Sequence, residues 1–206
     1  MLKLDNDLIY LAGVIAGDGH LKGGVKWKGK DNSRDYCINV HSNNKEYLNL
    51  ILKLIKEKIN TKTKVCKGKR AYYLSIRNKE LHTFFNTNLD IPLGKKSDII
   101  KIPNNLTEIE TNHFLAGLFD TDGGIRRNSI GYCSASKKLI SQIHNYLNSI
   151  GIENTKESWV NKKYDKKYYG NRIIKSSISR FFKTIPLKNN KKLKKIVQGC
   201  RSGQTG

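Results

Sequence analysis

Two short segments of the chain share one pattern, and both end in an acidic residue. The first is Leu11-Ala-Gly-Val-Ile-Ala-Gly-Asp18-Gly19, and the second is Leu115-Ala-Gly-Leu-Phe-Asp-Thr-Asp122-Gly123. Their acids, Asp18 and Asp122, are separated by about half of the 206 residues. A repeat that ends each time in a carboxylate indicates two similar halves that each give one acid to a shared site.

The small residues of the motif indicate how the two acids could meet. Gly13 and Gly17 lie four positions apart, and this spacing lets the backbone of a second helix approach closely. Two such helices side by side would place Asp18 and Asp122 next to each other at their C-terminal ends. That arrangement is unfavourable by itself, because the carboxylates repel each other and meet the negative ends of two helix dipoles.

A divalent cation between the two carboxylates would remove this conflict. Mg²⁺ is held by a few carboxylates with water and substrate phosphates, and it supports phosphodiester cleavage by activating water. We therefore predict that Asp18 and Asp122 are catalytic, metal-binding acids for Mg²⁺ or another divalent cation such as Mn²⁺. The carbonyl groups of Gly17 and Thr121, which precede the acids, are further candidate ligands. Asp-Gly is also a common turn pair, and one isolated copy would favour a simple helix end.

The charge of the chain points to a polyanionic partner. Lys and Arg number 39 against 17 Asp and Glu, which gives a net charge of +22. So many positive side chains repel one another. Binding to phosphates neutralises them and releases counterions, so DNA or RNA is the expected partner. A merely soluble basic surface, or a ribosome-associated protein, has the same composition.

The sequence favours an intracellular protein with access to DNA, in the cytoplasm, the nucleoid or an organelle. No apolar stretch reaches the length of a membrane-spanning helix, and the start of the chain lacks the pattern of a signal peptide. The four cysteines and five histidines are scattered. Their spacing predicts reduced thiols and no zinc site.

The secondary structure predicted around the motifs is duplicated as well. Apolar residues at helical spacing predict one helix over 43–59, capped by Asn43 or Asn44, and another over 137–150, capped by Ser136. A lysine-rich helix is predicted over 189–198. Strands are predicted over 36–42, 63–67, 71–77, 130–135, 155–160 and 172–179. The order helix, two strands, helix, two strands, terminal helix therefore occurs twice and predicts an α+β fold.

We expect the chain to divide near its middle. The predicted parts are an N-terminal half-domain over 1–90, a linker with two prolines over 91–110 and a C-terminal half-domain over 111–198. The last residues, 199–206, have no apolar anchor and are expected to be disordered.

The two nine-residue copies closely resemble the motif of the LAGLIDADG homing endonucleases. The segment that begins Ile91-Pro-Leu-Gly-Lys-Lys-Ser and leads into the second copy is similar to the joining region of two-motif members. The resemblance covers nearly the whole chain. It implies two pseudo-twofold-related αββαββα half-domains, with the motif helices at their interface and antiparallel saddle-shaped sheets on the DNA major groove. It also implies a monomer that makes a staggered double-strand cut in a long asymmetric target, with Asp18 and Asp122 as its metal-binding acids.

One departure from the family concerns the residues that support the acids. Many members keep a Gln or Asn and a Lys just before the helix that follows the second strand. This chain has Asn43 and Asn44 there in its first half, but Ser134 and Ala135 in its second, and no lysine in either. The basic residues that we expect to replace them are first Lys22 and Arg126, then Lys95 and Lys96. Alternatively, solvent organised by the metals does this work, and the four residues are ordinary surface cations.

Basic and polar residues on predicted strands and loops are candidates for DNA contact. Lysines are expected mainly on phosphates, whereas Arg and Asn are better suited to read bases. The loop predicted over 161–171 mixes lysine with tyrosine and could follow the DNA backbone. The candidates are Lys26, Lys28, Lys30, Arg34, Asn43, Lys67, Lys69, Arg70, Arg77, Arg126, Arg127, Lys156, Lys162, Lys163, Arg172 and Lys175.

Two alternatives to a nuclease stay open at this point. The first is an RNA maturase that binds intron RNA and assists splicing, and the second is a non-catalytic DNA-binding protein. Both aspartates are retained, which favours the nuclease. The chain ends lack the residues of a splicing intein, so an intron-encoded, free-standing protein is expected.

Overall fold

The computed structural model describes residues 2–23, 35–126, 129–163 and 165–194, without the side chain of Arg126. The first half contains α1 (Asn6–Ala16), β1 (Gly19–Leu21), β2 (Cys37–Ser42), α2 (Lys45–Lys58), β3 (Cys66–Lys67), β4 (Tyr72–Arg77) and α3 (Lys79–Thr83), which continues as a π-helix over Phe84–Asn88. The second half contains α4 (Glu108–Asp122), β5 (Gly124–Arg126), β6 (Ser129–Gly131), β7 (Cys133–Ser134), α5 (Lys137–Ser149), β8 (Asn154–Asn161), β9 (Lys166–Ile173), a 3-10 turn (Lys175–Ser177) and α6 (Ile178–Thr184). Residues 190–194 are helical.

The two motif helices pack against each other in the centre of the molecule. Every residue of α1 from Leu8 to Ala16 is buried, as is α4 from Phe114 to Asp120. Such helices belong in a core because they are apolar on all sides. Gly13 faces the carbonyl of Phe114, and Gly117 faces the carbonyl of Tyr10, so each glycine lets the other helix's backbone approach.

Each half adds an antiparallel sheet to this helix pair. The first has the strand order β1-β2-β4-β3, and the second has the order β5-β6-β9-β7, with β8 paired along β9. Buried residues such as Ile38 and Leu74 lie on the side that packs against α2, and α5 covers the matching side of the second sheet. The opposite side of each sheet, which we call its open face, is not covered by α2 or α5.

The main features predicted from sequence are confirmed. The order of elements and the α+β fold with two antiparallel sheets are as expected. Asn44 caps α2 by accepting from the amide of Tyr47, and Ser136 caps α5 by accepting from the amide of Leu139.

The predictions for the end of the second half were partly wrong. The strand predicted over 172–179 is in fact β9, which begins at Lys166, so most of the loop predicted over 161–171 is strand. Eight consecutive residue pairs with β8 hold this polar stretch in a sheet. Residues after β9 turn into α6, where Phe181 is fully buried in the core. The strand predicted over 130–135 is divided at Tyr132, whose amide donates to the side chain of Asn171.

The structure describes only part of two further predicted elements. The strand predicted over 63–67 is confined to β3, and the terminal helix predicted over 189–198 is described only over 190–194. The tail over 199–206 lies outside the described residues. The domain boundaries at 90 and 110 remain predictions. Within the described ranges, no helix is both long and apolar enough to cross a membrane.

Candidate active site

The two acids of the repeated motif meet at one junction, each at the end of a central helix. Asp18 follows Gly17, the C-cap of α1, and Asp122 is the last residue of α4. Their carboxyl groups lie close enough for each to shift the pKa of the other. The two helix ends approach closely here because Gly17 has no side chain: a Cβ there would collide with the hydroxyl of Thr121, the residue before Asp122. One acid from each half therefore contributes to a single pair.

The pKa values of both acids are raised, although each residue keeps part of its surface exposed. The pKa of Asp122 is raised to about 6, first by burial and then by the negative charge of Asp18. Burial also raises the pKa of Asp18, against the positive charges of Lys192 and Lys96. Two neighbouring carboxyl groups with raised pKa values fit a hard divalent cation, which favours oxygen ligands with negative charge.

An ammonium group lies on the carbonyl that precedes each acid. Lys96 Nζ donates to the carbonyl of Gly17 at 2.7 Å, and Lys192 Nζ donates to the carbonyl of Thr121 at 2.8 Å. Lys192 also donates to the carbonyls of Phe119 and Gly123, at 2.6 and 2.7 Å. These carbonyls form the negative ends of the two helices, where a cation is favourable. A metal ion at the predicted carbonyl ligands would share their oxygens with the lysines.

The four basic residues predicted to support the acids lie in different places in the structure. Lys96 lies at the junction, and burial lowers its pKa while Asp122 and Asp18 raise it. Lys22 pairs instead with Asp35, at 3.2 Å. Lys95 is exposed, and Arg126 lies in β5 with its side chain outside the described part of the chain.

Sequence reasoning missed Lys192, although the chain carries a signal for it. Ile91-Pro-Leu precedes Lys96, and Ile185-Pro-Leu precedes Lys192. Each copy is followed by two adjacent lysines, of which the second reaches the junction. Two extra residues in the second copy obscure the correspondence. A lysine-rich terminal helix considered alone predicts only a solvated surface.

A cavity of about 410 Å³ opens beside Asp18 and is lined by both halves. His41 and Asn43 come from the first half, and Thr121 and Lys192 come from the second. Among the residues that the structure describes, no three His, Cys, Asp or Glu side chains form a metal-binding group. A cation held by the acid pair therefore needs backbone carbonyls, water or phosphate oxygens as its other ligands.

The residues predicted to contact DNA lie in several different places. Arg77 and Arg172 are exposed and, by strand alternation, lie on the open faces. Lys67 and Lys156 lie on the covered sides of the two sheets, opposite to the open faces. Lys67 pairs with Tyr72, and Lys156 pairs with Asn171. The strand-connecting turns carry Lys69, Arg70, Lys162 and Lys163, and Lys175 follows β9. Lys26, Lys28, Lys30, Arg34 and Arg127 lie outside the described residues.

The raised pKa of Asp122 predicts a stability change in the metal-free protein. A carboxyl whose pKa is higher in the folded state stabilises the fold while protonated, and this contribution is lost as the pH rises through about 6. Asp122→Asn should therefore raise the melting temperature in EDTA at pH 7.5 by about 2–4 °C, or about 1 kcal/mol after allowance for solvent screening. The gain should vanish near pH 4, as measured by circular dichroism.

Asp98 provides the matched control for this substitution. Its carboxylate is paired with Lys166 at 2.7 Å, and this contact lowers its pKa. Asp98→Asn should give no gain at pH 7.5. A lower melting temperature for Asp122→Asn at both pH values would show that the acid pair is not strained without metal.

Comparison with known proteins supports this description. Residues 110–186 match the family model of the LAGLIDADG-like domain. The replication factor C small subunit of Methanocaldococcus jannaschii is 29% identical over 196 residues, and its ATP-dependent DNA helicase Hel308 is 28% identical over 218 residues. The matches include 94% and 100% of this chain but only 10% and 17% of the relatives' lengths.

The fold is shared with solved homing endonucleases. I-DmoI in complex with DNA and Mn superposes with a TM-score of 0.69 at 23% identity, over 87% of this chain and 96% of that one. Other I-DmoI complexes contain Ca or Mg. I-WcaI bound to its DNA recognition sequence gives a TM-score of 0.57 at 18% identity, over 90% and 83% of the chains. The chain therefore contains a LAGLIDADG-like domain over residues 110–186 and has the fold of these homing endonucleases.

Proposed function

We propose that the protein is a site-specific DNA endonuclease that makes a staggered double-strand cut by metal-dependent phosphodiester hydrolysis. The observation that carries this proposal is the junction itself: Asp18 and Asp122 lie side by side, and a lysine lies on the carbonyl before each. The DNA and Mn complex of I-DmoI, which has the same fold, supports it. Its substrate class is double-stranded DNA.

Asp18 and Asp122 would hold Mg²⁺ or Mn²⁺ between them, with the carbonyls of Gly17 and Thr121 as further oxygen ligands. The bound cation would supply activated water and charge stabilisation for a leaving oxygen. In each strand a water oxygen forms a bond to phosphorus, and one P–O ester bond breaks. The ammonium groups of Lys96 and Lys192, which lie 2.7–2.8 Å from the helix-end carbonyls, would stabilise negative charge that develops on the phosphate.

The protein surface supports DNA as the substrate. A net charge of +22 favours a phosphate backbone, and the open faces carry Arg77 and Arg172. The two sheets differ in sequence, so we expect a long asymmetric target. One chain supplies both acids, so we propose that a monomer is sufficient. An intracellular location with access to DNA follows from this role, whereas an intron origin and intron RNA as a partner stay predictions.

Selection of cleaved sites from a random DNA library tests the proposal. The purified protein is incubated with the library in Mg²⁺, and the ends of cut molecules are sequenced. We expect one related set of targets with a constant stagger between the strands. DNA that is bound but stays intact in both Mg²⁺ and Mn²⁺ would overturn the nuclease assignment in favour of a binding protein.

A further inference from the structure

The segment that carries Lys192 crosses from the second half onto the first. We call residues 185–194 the C-terminal strap. Lys188 Nζ contacts Oδ1 of Asp7 on α1 at 3.0 Å and lies over the ring of Tyr10. Asn189 accepts a hydrogen bond from the side chain of Asn44 at 3.4 Å. The strap therefore has contacts on both halves just before it reaches the metal-binding acids.

Asp120 holds the strap at the point where its helical turn begins. Its side chain is buried, with 2% exposure. One carboxylate oxygen accepts from the backbone amides of Lys188 and Asn189, at 2.6 and 3.0 Å, and from the hydroxyl of Tyr10 at 2.7 Å. The side chain of Asn189 donates in return to the Asp120 carbonyl at 3.0 Å. Ala16, the counterpart of Asp120 in the first motif, has no group that could do this.

We call these hydrogen bonds of Asp120 the anchor. The anchor fixes the position of the Lys192 side chain. The amide of Lys192 donates to the Asn189 side chain, and its ammonium group then meets three carbonyls at the end of α4. Lys96 has a different support: its segment pairs with β1 through the amide of Gly94 and the carbonyl of Leu21, at 2.8 Å. The two lysines at the junction are thus positioned by unrelated contacts.

We propose that Asp120 is a positioning residue that holds Lys192, and only Lys192, at the junction through the C-terminal strap. This rests on the proposed function as far as cleavage is concerned. Because Lys192 contacts the end of α4 and Lys96 contacts the end of α1, loss of the anchor should slow the cut of one DNA strand selectively. The other strand should be cut at nearly the normal rate, so the product should be nicked DNA.

Three substitutions separate positioning from general stability. Asp120→Leu removes the acceptor and keeps the number and branching of the side-chain heavy atoms. Asp120→Asn keeps an oxygen for the two strap amides and should restore the normal behaviour. Asn112→Leu is the matched control, because Asn112 is a buried acceptor on the same helix, bound by the hydroxyl of Tyr146 at 2.7 Å and remote from the strap. All are assayed well below their melting temperatures.

The first measurement does not require cleavage. The proteins are treated with N-hydroxysuccinimide acetate, and acetylation of each lysine is followed by mass spectrometry. Lys192 should react more slowly than its exposed neighbour Lys191 in the wild-type protein, in Asp120→Asn and in Asn112→Leu. In Asp120→Leu its rate should rise by about 5-fold or more. Unchanged protection of Lys192 in Asp120→Leu would overturn the proposed role of Asp120, whether or not the protein cuts DNA.

The second measurement follows each strand of a selected target with a different end label. Asp120→Leu should slow one strand by about 10-fold or more and leave the other within about 3-fold. Lys192→Met should slow the same strand, and adding Asp120→Leu to it should change nothing further, whereas Lys96→Met should affect the other strand more. Equal slowing of both strands by Asp120→Leu would overturn the proposal. Failure of every variant and of the wild type to cut would instead reject the nuclease function.

Discussion

Replacing Asp18 or Asp122 by asparagine should reduce DNA cleavage by about 10³-fold or more. Asparagine has the shape of aspartate but no negative charge, so the pair would lose half of its charge for a cation. The reduction should affect both strands, because the two carboxyl groups are neighbours and form one pair. Rates are measured on the selected target under single-turnover conditions.

DNA binding by these variants should stay within about 5-fold of wild type, because affinity depends mainly on phosphate contacts away from the junction. Binding is measured by fluorescence anisotropy on the same DNA. Asp98→Asn removes a carboxylate that is paired with Lys166 and is not part of the acid pair, and it should cut at the wild-type rate. Full cutting by the double variant Asp18→Asn/Asp122→Asn would refute a role for this pair.

Adding one methyl group at Gly117 should have the largest effect on stability. A Cβ at Gly117 would collide with the carbonyl oxygen of Tyr10, and one at Gly13 with that of Phe114. Backbone atoms cannot move aside as a flexible side chain can, so the helices must separate. We expect Gly117→Ala to lower the free energy of unfolding by about 3 kcal/mol or more. Urea unfolding followed by circular dichroism measures this loss.

Gly23→Ala is the matched control for Gly117→Ala. A Cβ there would have Leu93 as its nearest neighbour at 3.7 Å, an ordinary contact. Its unfolding midpoint should stay close to that of the wild type. If Gly117→Ala and Gly23→Ala unfolded at the same urea concentration, close packing of the motif helices would not be a source of stability.

Local sequence signals were enough for the features that depend on near neighbours. The N-caps Asn44 and Ser136 were predictable because a cap bonds to an amide three residues away. The meeting of Asp18 and Asp122 followed from the duplication, since two equal helices in contact place equivalent positions together. The repeat was thus more informative than either motif alone.

Features that depend on contacts between residues far apart in the sequence could not be predicted from local signals. The strand β9 has a polar, lysine-rich sequence, and its pairing with β8 decides its conformation. The first-ranked support, Lys22, pairs with Asp35, because a nearby carboxylate competes for it. Asp120 has no counterpart in the first motif, and its partners Lys188 and Asn189 lie 68 and 69 residues away. No local pattern indicates such a contact.

We propose that one acid from each half forms a single metal site. Titration of the metal-free protein with Mn²⁺, followed by electron paramagnetic resonance of the unbound ion, tests this proposal most directly. The wild-type protein should bind Mn²⁺, and Asp18→Asn or Asp122→Asn alone should weaken binding about as much as the double variant, because the acids share one ion. Wild-type affinity in either single variant would contradict the account.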